Sequence, residues 1–173
     1  MTTAPLVVLI GPAGAGKTSV GRALAAQRNV TFRDTDADVA ATEGKSVAEI
    51  FRESSWAYFR SLEQTAVADA LATHEGVLAL GGGALTQEAN RLALDTYRNN
   101  GGTVVYLSVS PEAVAERIGN GEDRPLLFGD PVGKWKDLMA ERHPVYSDAA
   151  NLELDTSGRT AEETADILNE RLR

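Results

Sequence analysis

Residues 11–18 read GPAGAGKT, which fits the spacing G-x-x-x-x-G-K-[ST]. Small residues let the backbone curl and turn several N–H groups inward, toward an anion. A following helix adds the positive end of its dipole. Lys17 has the reach to meet β- and γ-phosphates, and the Thr18 hydroxyl can ligate magnesium. Gly14, Ala15, Gly16, Lys17, Thr18 and Ser19 are therefore expected to hold a nucleoside triphosphate with Mg2+. No Asn/Thr-Lys-x-Asp segment accompanies the loop, so ATP is expected rather than GTP.

A second stretch, DTD at 34–36, follows the next short apolar run. One of its carboxylates could hold a metal-bound water and the other could accept a proton from an attacking hydroxyl. Asp38 adds a third acid and leaves the assignment open. The alternative is a solvated helix N-terminus, where acids are favoured anyway. Transfer of a phosphoryl group also needs cations aimed at its oxygens, and Arg60, Arg117, Arg124 and Arg142 are available. Each taken alone could equally be a surface charge. Arg60 and Glu63, one helical turn apart, could form an exposed pair worth only ~0.3 kcal/mol. Arg142, in AERHPVY, could close a solvated helix end. His74 and His143 are too far apart to suggest a metal site and are assigned to structure.

The elements that must position these residues alternate in type. The continuous apolar run at 6–10 and the shorter stretches at 30–34, 76–83, 103–109 and 151–155 read as strands. Residues 17–27, 47–73, 87–98, 110–118 and 160–172 read as helices, with Phe59, Leu62, Ala66 and Ala70 on one face of the second. Ser110 and Pro111 supply an N-cap and a first-turn proline. The pattern predicts an α/β protein with a five-stranded parallel sheet flanked by helices. Strand three runs into GGG where an apolar strand ending in aspartate would be usual in a nucleotide-binding protein. The stretch 120–133 is long, glycine-rich and charged, which suits either a lid or a mobile surface loop.

Composition narrows the partners. The 173 residues suit one domain. With 17 basic and 25 acidic residues the net charge is −8, a poor match for nucleic acid or an anionic membrane. An anionic ligand must then be met by local arginines, lysines and amides. Cysteine is absent, which removes thiol nucleophiles and disulfides. The apolar run at 4–10 is too short for a signal peptide or a membrane span, so a cytoplasmic location is expected. No long apolar stripe demands a partner, and a monomer is expected.

Together, GPAGAGKT (11–18), DTD (34–36), FRSLE (59–63), LGGGA (80–84), RPLL (124–127) and ERHPVY (141–146) resemble the shikimate kinase family in order and spacing, nearly end to end. The resemblance implies a P-loop NTPase fold of the nucleoside-monophosphate-kinase type over 1–173, with a substrate-binding region near 36–73 and a lid near 119–133. It implies ATP and Mg2+ as cofactors and the 3-hydroxyl of shikimate as acceptor. Asp36 would bind the ring hydroxyls and act as base, and Asp34 would serve magnesium through water. Arg60 and Arg142 would clamp the substrate carboxylate, with Glu63 orienting Arg60. The backbone of Gly81, Gly82 and Gly83 would approach the ring. Arg124 would neutralise transferring charge from the lid, and Arg117 would stack near adenine, close to a loop at 157–159. Lys17, Asp36 and Arg124 would be the catalytic set. The rivals are another small-metabolite kinase, such as a gluconate kinase, and a binding module that has lost its chemistry.

Overall fold

The computed structural model describes residues 4–118, 125–127 and 129–172. Five strands form one sheet: β1 (Val7–Ile10), β2 (Phe32–Asp34), β3 (Val77–Ala79), β4 (Val104–Ser108) and β5 (Leu152–Asp155). Their spatial order is β2-β3-β1-β4-β5, and every neighbouring pair is parallel. The expected five-stranded parallel sheet is thus the architecture. The central strand β1 (VVLI) is buried on both faces, which is why it reads as an unbroken apolar run. After β1 the chain crosses to one edge of the sheet, and later to the other. That reversal makes the carboxyl end of β1 a switch point, where open parallel sheets leave a crevice.

Helices α1 (Lys17–Arg28), α2 (Thr35–Glu43), α3 (Val47–Glu53), α4 (Trp56–Thr73), α5 (Glu88–Asn99), α6 (Pro111–Arg117), α7 (Pro131–Ala149) and α8 (Ala161–Arg171) surround the sheet. On one face Val7, Leu9, Val105 and Leu107 pack with Val20 and Leu24 of α1 and Leu168 of α8. On the other, Val8, Ile10, Leu78 and Tyr106 meet Val67 of α4, Leu94 of α5 and Tyr146 of α7. A third, small cluster of Val39, Ile50 and Phe59 joins α2, α3 and α4. No described helix is long and apolar enough to cross a membrane.

Several boundaries differ from the sequence expectation, each for a local reason. The third strand stops at Ala79 rather than running to 83, because the glycines that follow turn away from the ladder. The helix expected over 47–73 breaks at Ser54 and Ser55. The Ser55 hydroxyl accepts from the Tyr58 N–H and so starts a fresh helix. On α4 the buried residues are Phe59, Glu63, Val67 and Ala70, with Leu62 and Ala66 at the margin. The face is therefore rotated and includes an acid. Two helices have no counterpart among the expected elements. α2 begins directly after β2, capped by Asp34, whose carboxylate accepts from the Asp36 N–H. α7 continues through Pro144 to Ala149. Proline removes the bond to the Ala140 carbonyl and signals an end, yet tertiary packing carries the helix past it.

Candidate active site

The loop between β1 and α1 is shaped by its glycines. Gly16 caps α1 with φ of 90°, a left-handed conformation that suits glycine. Lys17 opens the helix and its Nζ donates to the carbonyls of Gly11 (2.6 Å) and Pro12 (3.0 Å), folding the side chain back over the loop. The Thr18 hydroxyl donates to Asp34 Oδ2 at 3.0 Å. Lys17, Thr18, Ser19 and the backbone of Gly14, Ala15 and Gly16 line a cavity of about 470 Å3. Asp34 and Asp36 line the same cavity.

The DTD stretch lies at the turn from β2 into α2. It is a helix N-terminus, and it also projects its acids into the crevice. Asp34 is shared between the cap of α2 and the Thr18 hydroxyl. Thr35, between the two acids, is buried and accepts from the Gly81 N–H, which ties α2 to the turn after β3. Asp36 is pushed up to about 6, first by loss of water and then by the charges of Asp34 and Glu63, with Lys17 and Arg60 pulling the other way. Asp38 is turned elsewhere, in an ion pair with Arg33 at 2.6 Å.

A second cavity, of about 220 Å3, adjoins the first. Ala13, Asp36 and Gly82 line both, so these three form the shared wall. Arg60, Arg142 and Gly83 face the second cavity. Arg60 and Glu63 are not an exposed pair. They meet at 2.6 Å with Glu63 only 1% exposed and the Arg60 side chain 14% exposed. The rotation of the buried face of α4 puts them there. The Arg60 guanidinium also lies 5.5 Å from the Phe59 ring and 5.7 Å from the Trp56 ring. Burial pushes the Glu63 carboxyl up, and Arg60 opposes the shift. With one anion already on Arg60 and an apolar wall around it, the remaining N–H groups and Arg142 suit a small carboxylate.

The glycine turn permits this crowding. A Cβ on Gly81 would lie 2.4 Å from Asp36 Oδ1, and one on Gly83 would lie 2.5 Å from Arg60 Nη2. Gly82 and Gly83 line the cavity, whereas Gly81 stands behind Asp36 and Glu63.

Arg117 borders the nucleotide-sized cavity, but its guanidinium is engaged. It donates to the Gly14 carbonyl (2.9 Å), the Thr156 hydroxyl (3.0 Å) and the Thr156 carbonyl (2.8 Å). It thereby braces the phosphate loop against the end of β5, leaving its flat face for stacking. Of the loop at 157–159, Arg159 borders the cavity while the Ser157 hydroxyl accepts from the Ser110 N–H. Arg124, and the lid apart from 125–127 and 129–133, lie outside the described residues. The two histidines are structural: His74 Nε2 bonds the Val77 carbonyl and His143 Nδ1 pairs with the Tyr106 hydroxyl.

Among the described residues no group of three or more His, Cys, Asp or Glu could hold a metal by itself. Thr18 and Asp34 offer one hydroxyl and one carboxylate. That sparse set fits magnesium, which keeps several waters and takes its other ligands from substrate phosphates.

Sequence reasoning missed Thr35, Thr156, Trp135 and Tyr146. Trp135 Nε1 donates to the Ala13 carbonyl at 2.9 Å, and the Tyr146 hydroxyl donates to the Gly82 carbonyl at 2.5 Å. Both tighten backbone at the shared wall. Thr35 and Tyr146 stood inside quoted motifs, DTD and ERHPVY, so their neighbours could have flagged them. Thr156 and Trp135 gave no local signal.

The shikimate kinase family model matches residues 13–173. The shikimate kinase of Salinispora arenicola is 50% identical over 162 residues, covering 94% of each chain. That of Thermobifida fusca is 46% identical over 172 residues, covering 99% of this chain and 97% of its own. Among solved structures, shikimate kinase from Acinetobacter baumannii in complex with shikimate superposes with a TM-score of 0.88 at 34% identity, over 99% of this chain and 97% of that one. Neither rival reading of the sequence is favoured by these matches. The crevice at the end of β1 therefore sits in an ATP-dependent kinase, and the chain belongs to the shikimate kinase family.

Proposed function

We propose that this chain transfers the γ-phosphoryl group of ATP to the 3-hydroxyl of shikimate, giving shikimate 3-phosphate and ADP, within one kinase domain whose lid spans about 119–133. The observation that carries the reading is the pair of adjoining cavities. One is floored by the phosphate loop, the other holds two guanidiniums, and Asp36 stands in the wall between them. A triphosphate tail gripped by loop amides and Lys17 would present its γ-phosphate toward that wall. A ring carboxylate held by Arg60 and Arg142 would turn a ring hydroxyl toward the same wall from the other side. The relative solved with shikimate bound supports this choice of acceptor.

The step is an in-line displacement. The acceptor oxygen bonds to the γ-phosphorus as the bond to the β,γ-bridging oxygen breaks, and the electron pair leaves with ADP. The acceptor proton passes to the Asp36 carboxylate. The transition state is loose, so Asp36 contributes more by aligning the hydroxyl than by strong basicity. Lys17 and Arg124 stabilise the charge on the transferring group. The Thr18 hydroxyl, and Asp34 through water, would hold magnesium, which when bound would add charge neutralisation at the phosphate oxygens. Arg117 presents its flat face to adenine.

The test is ADP release from MgATP with shikimate, with gluconate and with no acceptor. Shikimate-dependent release well above the other two is expected. Equal release with gluconate would move the chain to another acceptor, and no acceptor-dependent release would remove the kinase reading.

A further inference from the structure

α7 lines one side of the smaller cavity and is held to the rest of the molecule at several points along one face. Near its start Trp135, 3% exposed, donates from Nε1 to the Ala13 carbonyl in the phosphate loop. Near its end Tyr146, 2% exposed, donates to the Gly82 carbonyl. Between them His143 pairs with the Tyr106 hydroxyl of β4 at 2.8 Å, and the Tyr106 and Tyr146 rings lie 5.0 Å apart. Residues 135, 142 and 146 fall at helical spacing on this face, and all three line the smaller cavity. Arg142 is thus carried on a helix whose register is fixed by bonds to main-chain carbonyls on either side of it.

Of these bonds, the one from Tyr146 is best placed to act on Arg142. It lies one turn further along the same helix. Its acceptor, Gly82, belongs to the wall shared by the two cavities. Burial pushes the Tyr146 hydroxyl up to about 12, so it stays a donor, while Arg142, through its charge and a side-chain hydrogen bond to that hydroxyl, pulls the other way. Pro144 lies between the two residues and removes a helical hydrogen bond there. The helix needs an outside restraint at that point, and the tyrosine supplies one.

We propose that Tyr146 is a positioning residue for the acceptor: its hydroxyl, bonded to the Gly82 carbonyl, fixes the register of α7 so that Arg142 meets the acceptor carboxylate across the glycine turn. The proposal rests on the functional reading above, with Arg142 as one arm of a carboxylate clamp. Tyr146 acts through Arg142 and needs no contact of its own with the reacting atoms.

Tyr146→Phe keeps the ring and its packing on Tyr106 while removing the hydroxyl. Shikimate affinity, by calorimetry and as KM, is measured for the wild type, Tyr146→Phe, Arg142→Ala and the double variant, with Arg60→Ala as control. Tyr146→Phe is expected to weaken shikimate roughly five- to tenfold, the scale of one net hydrogen bond, while the KM for ATP stays within about twofold. In the Arg142→Ala background the same change is expected to add less than about twofold, because the residue it positions is gone. A full five- to tenfold further loss in that background would overturn the proposal, as would a lowered melting temperature with shikimate affinity unchanged. If Arg60→Ala also leaves shikimate affinity unchanged, the carboxylate clamp fails and takes the proposal with it. If Arg60→Ala weakens shikimate and Tyr146→Phe does not, only the role of Tyr146 falls.

Discussion

Asp36 stands in the wall shared by the two cavities. The DTD spacing after a phosphate loop marked it as an acid for the transfer. Nothing in the sequence told that burial would raise it from 3.8 to about 6, with the charges of Asp34 and Glu63 adding to the shift. The sign of that shift has a measurable consequence. A carboxyl whose folded-state value is raised favours the protonated form on folding, so its stabilising effect is complete at low pH and is lost as pH rises through about 6. Above that, the ionised group destabilises the fold. Asp36→Asn is therefore expected to raise the melting temperature by a few degrees near pH 8, with the gain shrinking toward pH 4. Activity should be lost at every pH. A variant less stable than wild type near pH 8 would contradict this account of Asp36. Arg60 and Glu63 make the same point about legibility. Their one-turn spacing was visible, but their burial depended on α4 turning an acid inward, which only the packing of α2 and α3 decides.

Turns and helices decide what the crevice can contain. The strand before the phosphate loop and the helix after it were plain in the sequence, because an apolar β-branched run and a glycine motif are both local signals. α2 and α7 were not. α2 follows β2 without a linker and has only a weak apolar stripe, and α7 carries a proline that argues for an end. Each is held by tertiary contacts, the first through the Thr35 bond to Gly81 and the second through Trp135, His143 and Tyr146. The glycine turn was legible as an anomaly, since it replaced the expected acid. Its purpose, room for Asp36 and Arg60, required the fold. Gly81→Ala tests that purpose. The added methyl would meet Asp36 Oδ1 and come within 3.0 Å of Glu63 Oε2, so both acids must move. kcat/KM for shikimate is expected to fall by at least about a hundredfold, in line with a misplaced reacting group, while far-ultraviolet circular dichroism stays that of the wild type. Near-normal activity would show that the wall tolerates displacement.

The whole molecule arranges two sites around one sheet end. Two large cores, one on each face, fix the ends of β1, β3 and β4, while the smaller cluster of Val39, Ile50 and Phe59 borders the smaller cavity through Phe59. The parallel sheet was legible from alternating strand and helix patterns. The convergence of residues far apart in the chain, such as Lys17, Arg60 and Arg142, was not, except through resemblance to a family. An overall charge of −8 makes that convergence chemically necessary, because an anionic acceptor gains nothing from the average field of the protein. The most direct measurement is the effect of Arg60→Ala on the two Michaelis constants. Loss of one charged, partly buried hydrogen-bonding arm should raise the constant for shikimate about thirty- to hundredfold and leave that for ATP within about threefold. An equal rise in both constants, or no rise for shikimate, would contradict the assignment of the smaller cavity to the acceptor.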